Sequence, residues 1–421
     1  MLKLSMAIQI LHFIFIVISV KSQKGSQSSL TAVEKFREYL RIDTSKEENV
    51  DVAVNFWIRQ AKEVGLSYTV LSPAGKPVFV ATWEGTDPTL PSIMLNSHMD
   101  VVPVDEEVWT YPPFDAHMDD NGDIYARGAQ DSKDISVQYM EAIRQLKSEG
   151  VRLARTLHFT VMPDEEIGGE NGMKAFIKTE QFKSLNIGFA LDEGGCMSAN
   201  DTIHVVYQDK RPWQFHLEIN GVAGHGSMFV GTSAMENVYN FMKAAMAYRE
   251  TQQEIALNND FFDYGAYTTV NINIIHGGRV INKIPSKVTL GVDMRLAPDA
   301  DAEQIQAMLD GWISQAGNNT RVTFLRRDLV AEPTAADDSN PFWISMKNTA
   351  AKMGLKLIPI VVPGTTDITQ LRNLGIPAFG FSPKLETQLR AHQKDEYLNV
   401  NVFLRGIQLY KEIIQNLANV K

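Results

Sequence analysis

Leu95-Asn96-Ser97-His98-Met99-Asp100 is an apolar strand that stops at an imidazole and carries a carboxylate two residues further on. A strand end is held by the sheet behind it, so this is a natural way to orient a metal ligand. A lone His-x-Asp also fits a buried histidine bonded to its neighbour, and the rest of the chain decides between them. Leu157-His158-Phe159-Thr160-Val161-Met162 runs into Pro163-Asp164-Glu165-Glu166-Ile167-Gly168-Gly169. Ile187-Gly188-Phe189-Ala190-Leu191 runs into Asp192-Glu193-Gly194-Gly195. Ala126-Arg127-Gly128-Ala129-Gln130-Asp131 delivers another carboxylate, just ahead of helical apolar spacing at Ile135, Tyr139, Met140, Ile143 and Leu146. Ligands of open α/β sheets collect outside the carboxyl ends of the strands. The pattern therefore predicts an α/β domain whose acidic and imidazole-bearing strand ends face one crevice.

A second histidine stands in Arg390-Ala391-His392-Gln393-Lys394-Asp395-Glu396, after a strand expected at Phe379–Pro383 and before the last helix. His98, Asp131, Glu166, Asp192 and His392 then make a mixed nitrogen and oxygen donor set. Such a set without thiolates suits catalytic zinc or cobalt, whereas structural zinc more often recruits cysteines. One Asp shared by two ions leaves each with two further protein ligands and open positions. Charge agrees, since three carboxylates and one hydroxide balance two dications.

The long words in this chain resemble the aminoacylase-1 branch of the dinuclear-zinc metallopeptidase family, which also contains glutamate carboxypeptidases and carnosinase-like dipeptidases. The words are Leu95 to Val104, Ile124 to Asp131, Pro163 to Gly169 and Phe189 to Gly194, with Asp337 to Pro341 and Phe403 to Gly406 adding to them. The resemblance implies that His98, Asp131 and Asp192 hold one zinc and that Asp131, Glu166 and His392 hold the other. It makes Glu165 the general base. Asp100 is expected to accept the His98 ring N–H that faces away from the metal, fixing the tautomer; the plainer alternative is a turn cap.

The leader and the composition bear on compartment and partners. Residues 1–22 carry one early cation, Lys3, an apolar stretch from Met6 to Val20 and a Val-Lys-Ser step, which reads as a secretory signal peptide. An uncleaved signal anchor is the alternative, although the apolar stretch is short against the ~20 residues of a spanning helix. Asn200-Asp201-Thr202 and Asn318-Asn319-Thr320 are glycosylation sequons suited to that route. A secreted location is expected, in contrast to the cytosolic relatives that the resemblance brings with it. The single cysteine, Cys196, excludes an intrachain disulfide, which a chain of this length can do without. A net charge of −10 and a pI near 5.5 argue against nucleic acid and anionic membrane as partners.

The ligands come from both ends of the chain, so the catalytic domain is discontinuous and something is inserted in it. Trp213, Phe215, Leu217 and Ile219 alternate as a strand; Ala234 to Tyr248 is helical through Met235, Val238, Met242 and Ala245. Thr269–Ile275 and Val288–Leu296 alternate, Ile305, Met308, Leu309, Trp312 and Ile313 form a helical stripe, and Arg321–Leu325 closes with a strand. The order βαββαβ is ferredoxin-like. The expected organisation is a zinc-peptidase-like catalytic domain with a mainly parallel mixed sheet flanked by helices. It occupies 28–205 and 328–421, around an α+β lid and dimerisation domain at 206–327.

Gly224-His225-Gly226-Ser227 sets a histidine between glycines after a strand. Alone it reads as an exposed turn residue. The resemblance implies that His225 crosses a homodimer interface and donates to the oxyanion in the neighbouring active site, a contribution of about 3 kcal/mol for such a donor. It also implies that Asn282 and Arg295 face substrate. The alternative for Arg295 is a structural ion pair with Asp293 or Asp299. Arg372 and the Gly380 backbone are further candidates for gripping a substrate carboxylate. Ile368-Thr369 follows Thr366-Asp367 where relatives tend to carry a basic residue, so substrate preference is expected to depart from theirs. The implied reaction is zinc-dependent hydrolysis of N-acyl-L-amino acids to a carboxylate and a free amino acid. A dipeptidase and a long-chain N-acyl amino acid hydrolase share the same metal core, and a secreted binding protein on an inactive scaffold is the reading from another class.

Overall fold

The computed structural model describes residues 30–195, 198–199, 201–260 and 262–421. The leader at 1–22, Cys196 and Asn200 lie outside them. By packing, the chain divides into two units: residues through Val205 with Ala335–Ile358 and Ile376–Lys421, and Val206–Thr334 with Pro359–Gly375.

In the first unit six strands run in the spatial order Ser67–Leu71, Val78–Trp83, Leu157–Met162, Ser92–His98, Ile187–Asp192 and Ala378–Gly380. The last four are mutually parallel, and the first two pair antiparallel at one edge. Every residue of Ser92–His98 and Leu157–Met162 is buried, as expected for parallel strands covered on both faces. Register aligns their ends: His98 lies opposite Met162, and Gly380 opposite Asp192. This alignment brings the strand-end side chains to one edge. The helices Lys133–Ser148 and Val400–Leu417 pack together, and Gln138 Nε2 donates to the Phe403 carbonyl at 3.1 Å. Among the described residues no helix is long and apolar enough to cross a membrane.

The second unit contains a four-stranded antiparallel sheet. Its strands are Arg211–Asn220, Thr269–Gly277, Lys287–Leu296 and Thr320–Arg327, and their spatial order is second, third, first, fourth. With the helices Ala234–Asn258 and Ala302–Gln315 this is the ferredoxin-like arrangement. Alternate residues of the Arg211–Asn220 strand are buried, and Phe215, Leu217, Leu290, Phe241 and Leu309 form the core under the helices. A short separate ribbon pairs Gly224–His225 with Lys283–Ile284.

Two stretches fall differently from the 206–327 expectation. Residues 328–334 stay with the second unit, because the Asp328 N–H donates to the Pro212 carbonyl and the Thr334 N–H to that of Tyr207. Residues 359–375 join it as well, tied by Lys210 N–H to the Val362 carbonyl and by Arg372 to Asp209.

Candidate metal centre

His98 closes its strand fully buried, and its Nε2 lies 3.3 Å from Asp131 Oδ1 and 3.3 Å from Glu193 Oε2. His392 Nε2 lies 3.0 Å from Asp131 Oδ2 and 3.0 Å from Glu166 Oε2. Two donor triads result, His98–Asp131–Glu193 and Asp131–Glu166–His392, with the donor atoms of each within 4.8 Å of one another. They share Asp131 through different oxygens, which is the geometry of a bridging carboxylate.

The structure corrects one expected ligand. Glu193, not Asp192, reaches His98. Consecutive side chains of a strand point to opposite faces, so only one of the two carboxylates can turn toward the imidazole. Asp192 ends its strand buried, and its charge acts on the Tyr139 and Tyr410 phenols. Asp100 is also refined. The nearer acceptor for His98 Nδ1 is the Asp100 backbone carbonyl, at 2.9 Å, with the carboxylate 3.5 Å away. That carboxylate instead receives the backbone N–H groups of Glu165 and Glu166, both at 3.1 Å. Asp100 therefore steadies the turn that carries the expected base and ligand.

That turn is a single 3-10 segment, Glu165–Ile167, closed by Gly168 and Gly169 at φ 99° and 68°. Successive left-handed residues suit glycine, and their N–H groups return to the Glu165 and Asp164 carbonyls at 2.8 Å. Glu165 is half-buried beside Glu166. His392 has a left-handed backbone as well, with φ 64°.

Electrostatics mark the cluster as short of positive charge. Burial, reinforced by the charges of Asp131 and Asp192, pushes the Glu193 carboxyl up to about 8. Burial and the Asp131 charge raise Glu166 too. The carboxylates of Asp131 and Glu166 raise His392 to about 10. Burial opposes charge on His98, yet Glu193, Asp100 and Asp131 outweigh it and hold the ring well above its usual range. Three carboxylates and two imidazoles drawn together without a thiolate form a donor set that fits two borderline dications.

Sequence reasoning missed the partners behind Asp131. Glu396 is fully buried and accepts from Arg127 Nη1 at 2.6 Å, from Gln130 N–H at 2.6 Å and from Asp131 N–H at 3.2 Å. Burial pushes its carboxyl up to about 7 against the pull of Arg127. Arg127 sits in the Ile124 to Asp131 word and Glu396 ends the stretch around His392, but only the fold shows that the two touch.

The other expected site residues belong to the second unit, apart from Gly380. His225 is exposed on the short ribbon, and its Nδ1 accepts the Ser227 N–H at 3.2 Å and lies 2.7 Å from Ser227 Oγ. An accepting Nδ1 puts the ring proton on Nε2, leaving an outward donor. Asn282 is exposed beside it, and its carbonyl accepts the Gly226 N–H at 2.8 Å. Arg295 pairs with Asp293, at 2.8 and 3.2 Å, which is the structural alternative. Arg372 is corrected: its guanidinium is buried in an ion pair with the Asp209 carboxylate at 2.7 Å and donates to the Val206 carbonyl at 3.0 Å, a structural role within the second unit. Ile368 is buried and the Thr369 hydroxyl donates to Asp209, so the departure at these positions is absorbed into that same pairing. Gly380 is buried at its strand end opposite Asp192.

The profile described as Peptidase family M20/M25/M40 matches residues 94–416. Aminoacylase-1 of Homo sapiens is 40% identical over 401 residues, covering 95% of this chain and 98% of that protein. Aminoacylase-1 of Dictyostelium discoideum is 36% identical over 404 residues, covering 92% and 98%. Among solved structures, the M20 family metallo-carboxypeptidase of Sulfolobus solfataricus aligns with a TM-score of 0.74 at 18% identity, over 92% of this chain and 99% of that one. A dinuclear metal-binding M20 peptidase of Bacillus subtilis aligns at 0.67 and 14% identity, over 92% and 98%.

Proposed function

The chain belongs to Peptidase family M20/M25/M40, and on that premise we propose that it is a metal-dependent aminoacylase that hydrolyses N-acyl-L-amino acids at a pair of zinc ions. The observation that carries the reading is Asp131, whose two oxygens each complete a separate donor triad. Curated relatives at 40% identity over almost the whole chain favour the aminoacylase reading over the dipeptidase and long-chain alternatives.

His98, Asp131 and Glu193 would hold one ion, and Asp131, Glu166 and His392 the other. Bound there, the metals supply Lewis acidity toward the acyl carbonyl and the attacking water. Glu165, which is not among the donors of the two triads, takes the proton from water and returns it to the leaving amine. Water adds to the acyl carbon, the C–N bond breaks, and the products are a carboxylate and a free amino acid. His225 presents Nε2–H as an oxyanion donor, in trans from the second subunit of a homodimer. A dimer is supported by the outer face of Ala234–Asn258, where Met235, Tyr239, Met242 and Met246 line an open groove of about 590 Å³.

The direct test is release of free amino acid from N-acetyl-L-methionine by the purified chain, before and after chelation and zinc readdition. Zinc-restored turnover that disappears in Glu165→Gln, with zinc content retained, is expected. Turnover that is indifferent to chelation, or undiminished in Glu165→Gln, would overturn the mechanism.

The apolar leader supports a secretory location for the mature chain, and Asn318 stands exposed in the turn between the Ala302–Gln315 helix and the Thr320–Arg327 strand, open to glycosylation. Translation with microsomes should give a protease-protected product whose mobility shift is reduced in Asn318→Gln. A product fully digested by added protease would refute the location.

A further inference from the structure

We propose that Arg127 and Glu396 form a buried clamp that sets the bridging carboxylate of Asp131 against His392, which makes Glu396 a positioning residue of the metal centre. The inference rests on the dinuclear reading above. Asp131 and His392 come from loops far apart in the chain, and each must present its donor to the same ion. Glu396 lies four residues after His392, yet its side chain grips the backbone at Asp131. One carboxylate oxygen takes the N–H groups of Gln130 and Asp131, at 2.6 and 3.2 Å; the other takes Arg127 Nη1 at 2.6 Å.

The rest of the clamp runs between the same two loops. Arg127 Nη1 also donates to the Gln393 carbonyl at 3.2 Å, and Ala126 N–H to that of Glu396 at 3.0 Å. Gln130 Nε2 donates to the carbonyls of Gln388 and Tyr397, at 3.0 and 2.7 Å, while its Oε1 accepts the Arg390 N–H at 2.9 Å. Thr110 closes the outside, giving its N–H and hydroxyl to Asp395 at 2.7 and 3.0 Å. The ring of Trp109 lies 5.2 Å from the Arg127 guanidinium carbon.

A carboxylate is required because donors converge on both of its oxygens. Glutamine keeps the size but offers one acceptor, so its NH₂ must face either Arg127 or the two backbone N–H groups. A buried ion pair is weak evidence for stability, so its role lies in geometry. Outer partners that orient metal ligands typically alter metal affinity or activity by roughly 10–100-fold when replaced.

The test is zinc affinity of the full chain, read by competition with a chromogenic chelator, in wild type, Glu396→Gln and Glu396→Asp. Aspartate keeps the charge beside Arg127 and draws back from the backbone N–H groups. Weakening of about 10–100-fold is expected in Glu396→Gln, and a smaller loss in Glu396→Asp. Added zinc should restore turnover with KM unchanged, a response that general destabilisation would not give. Wild-type affinity in a folded Glu396→Gln, or in Glu396→Asp should the glutamine variant not fold, would overturn the clamp. A wild-type chain that binds no zinc would instead sink the metal-centre reading, and the clamp with it.

Discussion

Two pairs of adjacent carboxylates stand at strand ends, Glu165-Glu166 and Asp192-Glu193, and in each the second member meets an imidazole. Motif words locate such pairs without giving their parity, because parity depends on where the strand stops and on how it twists into the loop. Glu193 was therefore hidden beside Asp192, while Glu166 was told from Glu165 only through the family resemblance. Loss of the Glu193 carboxylate charge should cost zinc affinity by more than the roughly 100-fold upper range of an outer partner; Asp192→Asn should leave zinc binding near normal, since that carboxylate belongs to neither donor triad. Metal titration of Glu193→Gln and Asp192→Asn decides the matter, and zinc lost only in Asp192→Asn would reverse the assignment. The arginines teach a related lesson. Asp293 and Arg295 stand two apart on one strand, hence on one face, so their pairing was readable from spacing. The partner of Arg372, Asp209, lies far back in the chain and is supplied only by the fold.

At the level of elements, strands were the most legible feature because apolar runs end abruptly in charge or glycine. The inserted sheet was readable for a second reason: alternate burial along Arg211–Asn220 and Thr320–Arg327 writes the period of two into the sequence. The helix starting at Ala234 runs to Asn258, beyond the apolar spacing that ends near Tyr248. Its later turns are largely exposed, so no apolar stripe marks them. A capping box fixes the start instead, with Ser233 Oγ accepting the Glu236 N–H and the Glu236 carboxylate accepting the Ser233 N–H. The ribbon of Gly224–His225 and Lys283–Ile284 was invisible for the opposite reason, since two-residue strands carry no period. That ribbon sets His225 next to Asn282, a juxtaposition that no local pattern announces.

For the whole molecule, the open question of assembly turns on which surfaces of the second unit are left for a partner. Among the described residues its four-stranded sheet has two edges with no paired strand, and such edges invite pairing with another chain unless they are blunted. Thr320–Arg327 is an edge rich in charge, with Arg321, Arg326 and Arg327, and the Asn318 sequon stands at its head. Thr269–Gly277, the other edge, exposes Ile274 and Ile275, 39% and 54% accessible. The Met235 and Tyr239 face of the Ala234–Asn258 helix is exposed as well. Apolar surface concentrated on one edge and one helix face suits a second copy of the chain. If that copy supplies His225, each active centre needs one subunit with Glu165 and another with His225. Glu165→Gln and His225→Ala homodimers should then both be nearly inactive. Mixing them under conditions that exchange subunits should restore up to about a quarter of wild-type turnover: random exchange makes half the molecules heterodimers, and each of these has one centre with both groups intact. The assay is amino-acid release from N-acetyl-L-methionine, with mass spectrometry of the intact dimers to verify exchange. Heterodimers that form and stay inactive would show that His225 works within its own subunit or has no part in the reaction.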